Sequence, residues 1–245
     1  MATFLVFTKI LCNFANVMEE IKKTQQIQPY NVWLISDLHV NHSNILKHEP
    51  QRVEIMRLKD DTDIEGHDEW IKNMWLNTVK RGDHVYVLGD FILSNRNYAV
   101  RYLHTLKSSG CHIHLIVGNH DKATEKLTNM FDSIDLIKVV DFKNTVFPFI
   151  EEEAFTCVLC HYPFKTWPRK CYGAVNLYGH VHDHSPWIDT DPYDLCLNVG
   201  LDSEFANYGL IPLEKIYEWY KKRLDGKKPK EYADWATEKN PHFIR

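Results

Sequence analysis

The sequence predicts a layered α/β fold on two observations: short apolar runs of strand character that each end in polar residues, and segments of helical spacing between the early ones. A third observation sets the scale. The 245 residues, 44% hydrophobic and 25% charged, suit one sizeable soluble core and do not demand a second domain. The folded domain is placed at residues 31–225, between an N-terminal extension, 1–30, and a polar tail, 226–245, that suggests no element.

The opening stretch, MATFLVFTKILCNFANV, is a poor targeting segment. No basic residues precede its apolar run, Lys9 interrupts that run, and it falls short of the roughly 20 residues that cross a bilayer. It is read as a packing helix or an upstream extension, with Met18 as an alternative start, and no membrane partner is expected.

Asn31 to Ser36 (NVWLIS) then reads as a buried strand, followed at once by Asp37, His39, Asn41 and His42. The same order recurs at His84 to Leu88 before Gly89-Asp90, and at His112 to Val117 before Gly118-Asn119-His120-Asp121. Ile71, Met74, Trp75, Thr78 and Val79 recur at helical spacing from about Asp68 to Lys80, and Val100, Leu103 and Leu106 repeat the pattern. Later strands are expected at Phe155 to Cys160 before His161, at Ala174 to Tyr178 before Gly179-His180, and at Leu195 to Val199. A last helix runs from about Leu213 to Arg223, with Ile216, Trp219 and Tyr220 on its buried side. Because ligands of open α/β sheets gather beyond the carboxyl ends of strands, this order predicts that the polar residues converge on one rim.

The formal charge of −4 lacks the basic excess of a protein that grips nucleic acid through its phosphates, so no extended nucleic-acid surface is expected. Short or cyclic nucleotides stay open, since bound divalent cations make a cleft locally positive whatever the surface sign. Six scattered cysteines read as free thiols in a reducing, cytoplasmic setting. Cys157 and Cys160 form a CxxC, but on a strand they point to opposite faces, and no second CxxC completes a zinc site; they read as buried small hydrophobes.

Taken in order, the strand ends spell DxH (Asp37, His39), GD (Asp90), GNHD (Asn119, His120, Asp121), H (His161) and GHxH (His180, His182). Asp37 and His39 point from one face if their strand continues. Any one of these histidines would more often be structural than a ligand; their joint occurrence at strand ends is what signals metal chemistry. Mixed carboxylate, amide and imidazole donors suit manganese, iron or zinc better than an all-oxygen magnesium or calcium site.

This ordered set resembles the calcineurin-like metallophosphoesterase superfamily over most of Asn31 to about Glu214, and the stretches Asp37 to Ile45 and Asn207 to Leu213 look like its compact bacterial and phage-type branch. The resemblance implies a four-layer α/β sandwich of two mixed sheets flanked by helices. It implies two divalent cations, manganese foremost with iron, zinc or nickel as alternatives: one on Asp37, His39 and His182, the other on Asn119, His161 and His180, with Asp90 between them. Metal-bound hydroxide is then the expected nucleophile, and His120 the general acid. Asn119, His120 and His42 are expected to meet the substrate, His42 having the alternative of a loop hydrogen bond. Asp121 either orients His120 or caps the following helix.

The expected activity is hydrolysis of a small phosphodiester such as a nucleotide, with phosphomonoester hydrolysis or a non-catalytic metal-stabilised module as alternatives. The sequence sets no oligomeric state. His48, His67, His84, His104, His112, His114 and His242 are read as structural or surface groups, His184 as a candidate substrate contact, and Trp167 and Trp187 as either an aromatic wall or caps on the core.

Overall fold

The computed structural model describes residues 30–182 and 194–239. The extension ahead of Tyr30, and His184, Trp187 and His242, lie outside the described residues. By its contacts the chain divides into Met1–Tyr30 and Asn31–Arg245, and every described strand and helix belongs to the second unit.

The expected α/β sandwich is the architecture found. One sheet has five strands in the order β4 (Ser133–Asp135), β3 (His112–Ile116), β2 (His84–Val87), β1 (Val32–Ile35) and β9 (Ile211–Pro212). The first four run parallel, and β9 pairs antiparallel with β1. The second sheet orders β5 (Ile137–Lys143), β6 (Ala154–Cys160), β7 (Val175–Tyr178) and β8 (Cys196–Asn198), with only β5 antiparallel.

The apolar runs form strands because both faces of the first sheet are covered. On one face, Ile35, Val85, Val87, Ile113 and Leu115 form a core with Ile71 and Trp75 of helix α3 (Ile64–Thr78) and Ala99, Leu103 and Leu106 of α4 (Arg96–Lys107). On the other, Tyr86 meets Phe142 of β5 edge to face at 6.3 Å, which ties the two sheets together. Trp75 is fully buried, and losing such a side chain costs about 3–5 kcal/mol.

Helix α3 begins four residues before the expected Asp68. Its first turn, Ile64 to His67, holds a single apolar residue and so shows no helical spacing, but Asp63 caps it by accepting the Gly66 N–H at 3.1 Å. Two short helices that periodicity could not reveal, α1 (Ile45–His48) and α2 (Gln51–Ile55), follow the first polar loop. Helix α5 (Leu213–Leu224) forms where expected and buries Ile216 and Tyr220, but Tyr217 takes the buried place expected of Trp219, which is half-buried beneath the Arg223 guanidinium. The tail is corrected: α6 (Pro229–Lys239) forms there, anchored by Tyr232, whose side chain is buried, and by Lys227 over the Trp235 ring at 4.5 Å. Tyr232 and Trp235 are the only large apolar residues of this helix, too sparse to read as a face among its charged and small residues.

Parallel register brings the strand ends to one rim. Ile35 of β1 lies opposite Val87 of β2, which lies opposite Leu115 of β3. The second sheet reaches the same rim, since the Ser36 N–H donates to Val199 O at 3.0 Å and the Val199 N–H to Tyr178 O at 2.8 Å.

Candidate metal centre

At that rim the backbone itself is unusual. Asp37, His39, Asn41, Asp90, His180 and His182 all take positive φ, between 50° and 72°. Residues other than glycine rarely adopt this left-handed region, and such strain gathers where a site must be held open to a ligand. Strand β1 therefore stops short of Asp37, and the expected strand continuation through His39 is replaced by two left-handed residues that still turn both side chains toward one point.

Asp37, His39 and His182 present ligand atoms within 4.8 Å of one another, and so do Asp90, His161 and His180. Asp90 reaches toward both groups: its Oδ2 lies 3.6 Å from His39 Nε2 and its Oδ1 3.5 Å from His161 Nε2. Asn119 joins the second group, with Oδ1 3.2 Å from His161 Nε2. All seven ligand residues expected from the sequence are thus brought to one rim.

The donors fit a cation. Both ring nitrogens of His39 are buried and have no hydrogen-bond partner among the described residues, an arrangement that costs free energy unless something else occupies them. Burial, then the Arg52 guanidinium, hold the His39 pKa well down, so the ring is neutral and its lone pair is available. Burial raises the Asp37 carboxyl although His182 and His161 oppose it, as expected of a carboxylate lacking a full counter-charge. His161 is buried too, which lowers its pKa, but the Asp90 carboxylate and then Asp37 outweigh this and bring it to about 9. Its Nδ1 donates to Leu88 O at 2.8 Å, leaving Nε2 facing Asn119 and Asp90.

The remaining expected residues sort differently. His120 donates its backbone N–H to Asp90 Oδ1 at 2.9 Å, while its ring, 38% exposed, stands 4.0 Å from Asp90 Oδ2 and reaches solvent. His42 is in the same cluster, its ring 5.1 Å from that of His39 and 5.4 Å from that of His120. Its Nδ1 is buried without a partner among the described residues, so the loop hydrogen bond offered as its alternative does not engage that atom.

Asp121 is corrected: its carboxylate neither touches the His120 ring nor caps the next turn. It accepts the N–H groups of Asp90, Phe91 and Gly118 at 2.9, 3.0 and 2.8 Å, pinning one polar loop to another. Trp167 is buried and donates to Ala174 O at 2.8 Å, which makes it a core cap and not a wall of the site.

Three neighbours carried no sequence signal. Tyr162 is 42% exposed, stacks edge-on to His180 at 4.7 Å and donates its hydroxyl to Asn119 Oδ1 at 3.3 Å. Asp202 accepts from His182 Nδ1 at 2.7 Å, and Glu49 lies 3.3 Å from the same atom. Only its neighbour in sequence, His161, could have drawn attention to Tyr162; Glu49 and Asp202 stand outside every motif.

The chain resembles proteins from several sources. It is 29% identical over 195 residues to an uncharacterized protein of Methanocaldococcus jannaschii, covering 78% of this chain and 92% of that protein. It is 25% identical over 211 residues to the gene 66 protein of Mycobacterium phage D29, covering 77% and 94%. Among solved structures, a protein of unknown function from Aquifex aeolicus superposes with a TM-score of 0.57 at 26% identity, over 78% of this chain and 99% of that one. That likeness supports the α/β sandwich. No family model matches the chain. No helix among the described residues is long and apolar enough to cross a membrane.

Proposed function

We propose that the chain is a calcineurin-like, dinuclear metal-dependent phosphoesterase acting on a nucleotide or another small phosphodiester. One observation carries the reading: two carboxylate-imidazole groups, Asp37-His39-His182 and Asp90-His161-His180, stand side by side with Asp90 reaching toward both. Asn119 completes the second group. The mixed oxygen and nitrogen donors favour manganese, with iron, zinc or nickel able to substitute. When bound, a pair of such cations acidifies water and neutralises charge on a phosphoryl group.

The rest of the chemistry belongs to the chain. His120 is held at its backbone by Asp90 while its ring stays free to move a proton onto the leaving oxygen. His42 and Asn119 line the same opening with donors for phosphate oxygens, and Tyr162 flanks it with an exposed ring on which a base can stack.

The test is hydrolysis of bis-p-nitrophenyl phosphate and p-nitrophenyl phosphate by metal-free protein reloaded with manganese. Metal-dependent turnover that prefers the diester supports the proposal. Preference for the monoester makes the protein a phosphatase, and no turnover on either, with cations bound, makes it a metal-stabilised binding module.

A further inference from the structure

Behind the first ligand group lies a buried guanidinium that no motif contains. Arg52 of α2 is fully buried and grips Asp202 with two donors, Nε to Oδ1 at 2.7 Å and Nη2 to Oδ2 at 2.5 Å. The same Nη2 donates to the Asp37 carbonyl at 2.8 Å, and Nη1 to the Leu38 carbonyl at 3.2 Å. One side chain thus holds both the loop that presents Asp37 and His39 and the carboxylate that receives His182.

The contacts fix protons as well as positions. Arginine only donates, so His67 Nε2, 3.0 Å from Nη1, is an acceptor; His67 Nδ1 then donates to Asp68 Oδ1 at 3.0 Å. That same oxygen accepts the Asn41 N–H at 3.0 Å, which ties down the far end of the loop. At the other side, Asp202 Oδ2 takes the His182 Nδ1 proton at 2.7 Å. With Nδ1 committed, Nε2 is the ring atom left to meet a cation.

We infer that Arg52 and Asp202 are positioning residues for the first cation site, a conclusion that rests on the metal reading above. Buried ion pairs contribute little net stability compared with apolar packing, because desolvation offsets their attraction. What this pair supplies is orientation: a single His182 tautomer, and a fixed loop on which two left-handed residues aim their side chains. In the second group it is the Leu88 carbonyl that orients His161, and the pair reaches that group only through Asp37, whose carboxylate accepts the His180 N–H at 2.9 Å.

The experiment is a manganese titration of metal-free protein, wild type against Asp202→Asn and Arg52→Lys, following bound and free cation by electron paramagnetic resonance. Both variants are expected to weaken one of two sites by roughly 10–100-fold and to leave the other at wild-type affinity. Unchanged affinity at both sites, or equal weakening of both, would overturn the inference. Should the variants fail to fold, long-range proton–nitrogen NMR of the metal-free wild type decides it. His182 protonated at Nδ1 supports the positioning role, and a neutral ring protonated at Nε2 refutes it. Wild-type protein that takes up no cation would instead count against the metal reading, and the tautomer would still judge the role of Asp202.

Discussion

Asp121 holds Asp90 by its backbone: the Asp121 carboxylate accepts the Asp90 N–H at 2.9 Å, across 31 positions of sequence. Two further N–H groups, of Phe91 and Gly118, complete the same carboxylate. Replacing Asp121 by alanine strands three buried donors, and about 3 kcal/mol or more of stability should be lost. Asparagine retains one acceptor oxygen and should lose less. Urea denaturation of both variants checks this, and equal stability of Asp121→Ala and wild type would show that the loops hold without it.

Gly89 stands where the polar loop turns under His161. Its φ is +90°, and a Cβ there would lie 2.5 Å from His161 Nδ1 and 2.8 Å from the Gly118 backbone. Backbone cannot yield as a flexible side chain can. Gly89→Ala should therefore displace His161 and lower cation affinity at its group by at least an order of magnitude, read by equilibrium dialysis. Wild-type affinity would mean that the loop absorbs the methyl group.

Acid should loosen the fold through a histidine far from the rim. His114 is packed on Tyr86 at 4.4 Å with Nε2 2.9 Å from His84 Nδ1, and burial followed by His84 brings its pKa down to about 4. The folded pKa lies below the unfolded value, so the neutral ring's contribution is complete above about 6.5 and is lost as pH falls toward 4. The loss amounts to roughly 1–2 kcal/mol after allowing for solvent around a half-buried ring. His114→Phe keeps the stack and removes the titration. Its urea midpoint should fall less than that of wild type between neutral and acid pH, and identical falls would exclude His114 as the cause.

The residues that motifs could name were legible because their chemistry and their place at strand ends coincide. Asp37, His39, Asp90, Asn119, His161, His180 and His182 each follow an apolar run or a glycine, and parallel register carries those ends together. What supports them was not legible. Arg52 and Asp202 meet across 150 positions, and a contact at that separation leaves no local pattern. Sequence adjacency offers Asp121 either to His120 or to the following helix, yet its carboxylate reaches back to Asp90. The α6 helix went unread because Tyr232 and Trp235 sit in a stretch that otherwise looks solvated.

Counting cations and turnover on one sample decides whether the rim is a dinuclear catalyst. Metal-free wild type and His120→Ala, both reloaded with manganese, are assayed for bound metal by mass spectrometry and for hydrolysis of bis-p-nitrophenyl phosphate. Two cations per chain are expected in both proteins, with turnover that falls about 100-fold to 10,000-fold in the variant. Fewer than two cations in the wild type, or equal turnover in the two proteins, would contradict a two-cation phosphoesterase with His120 as its acid.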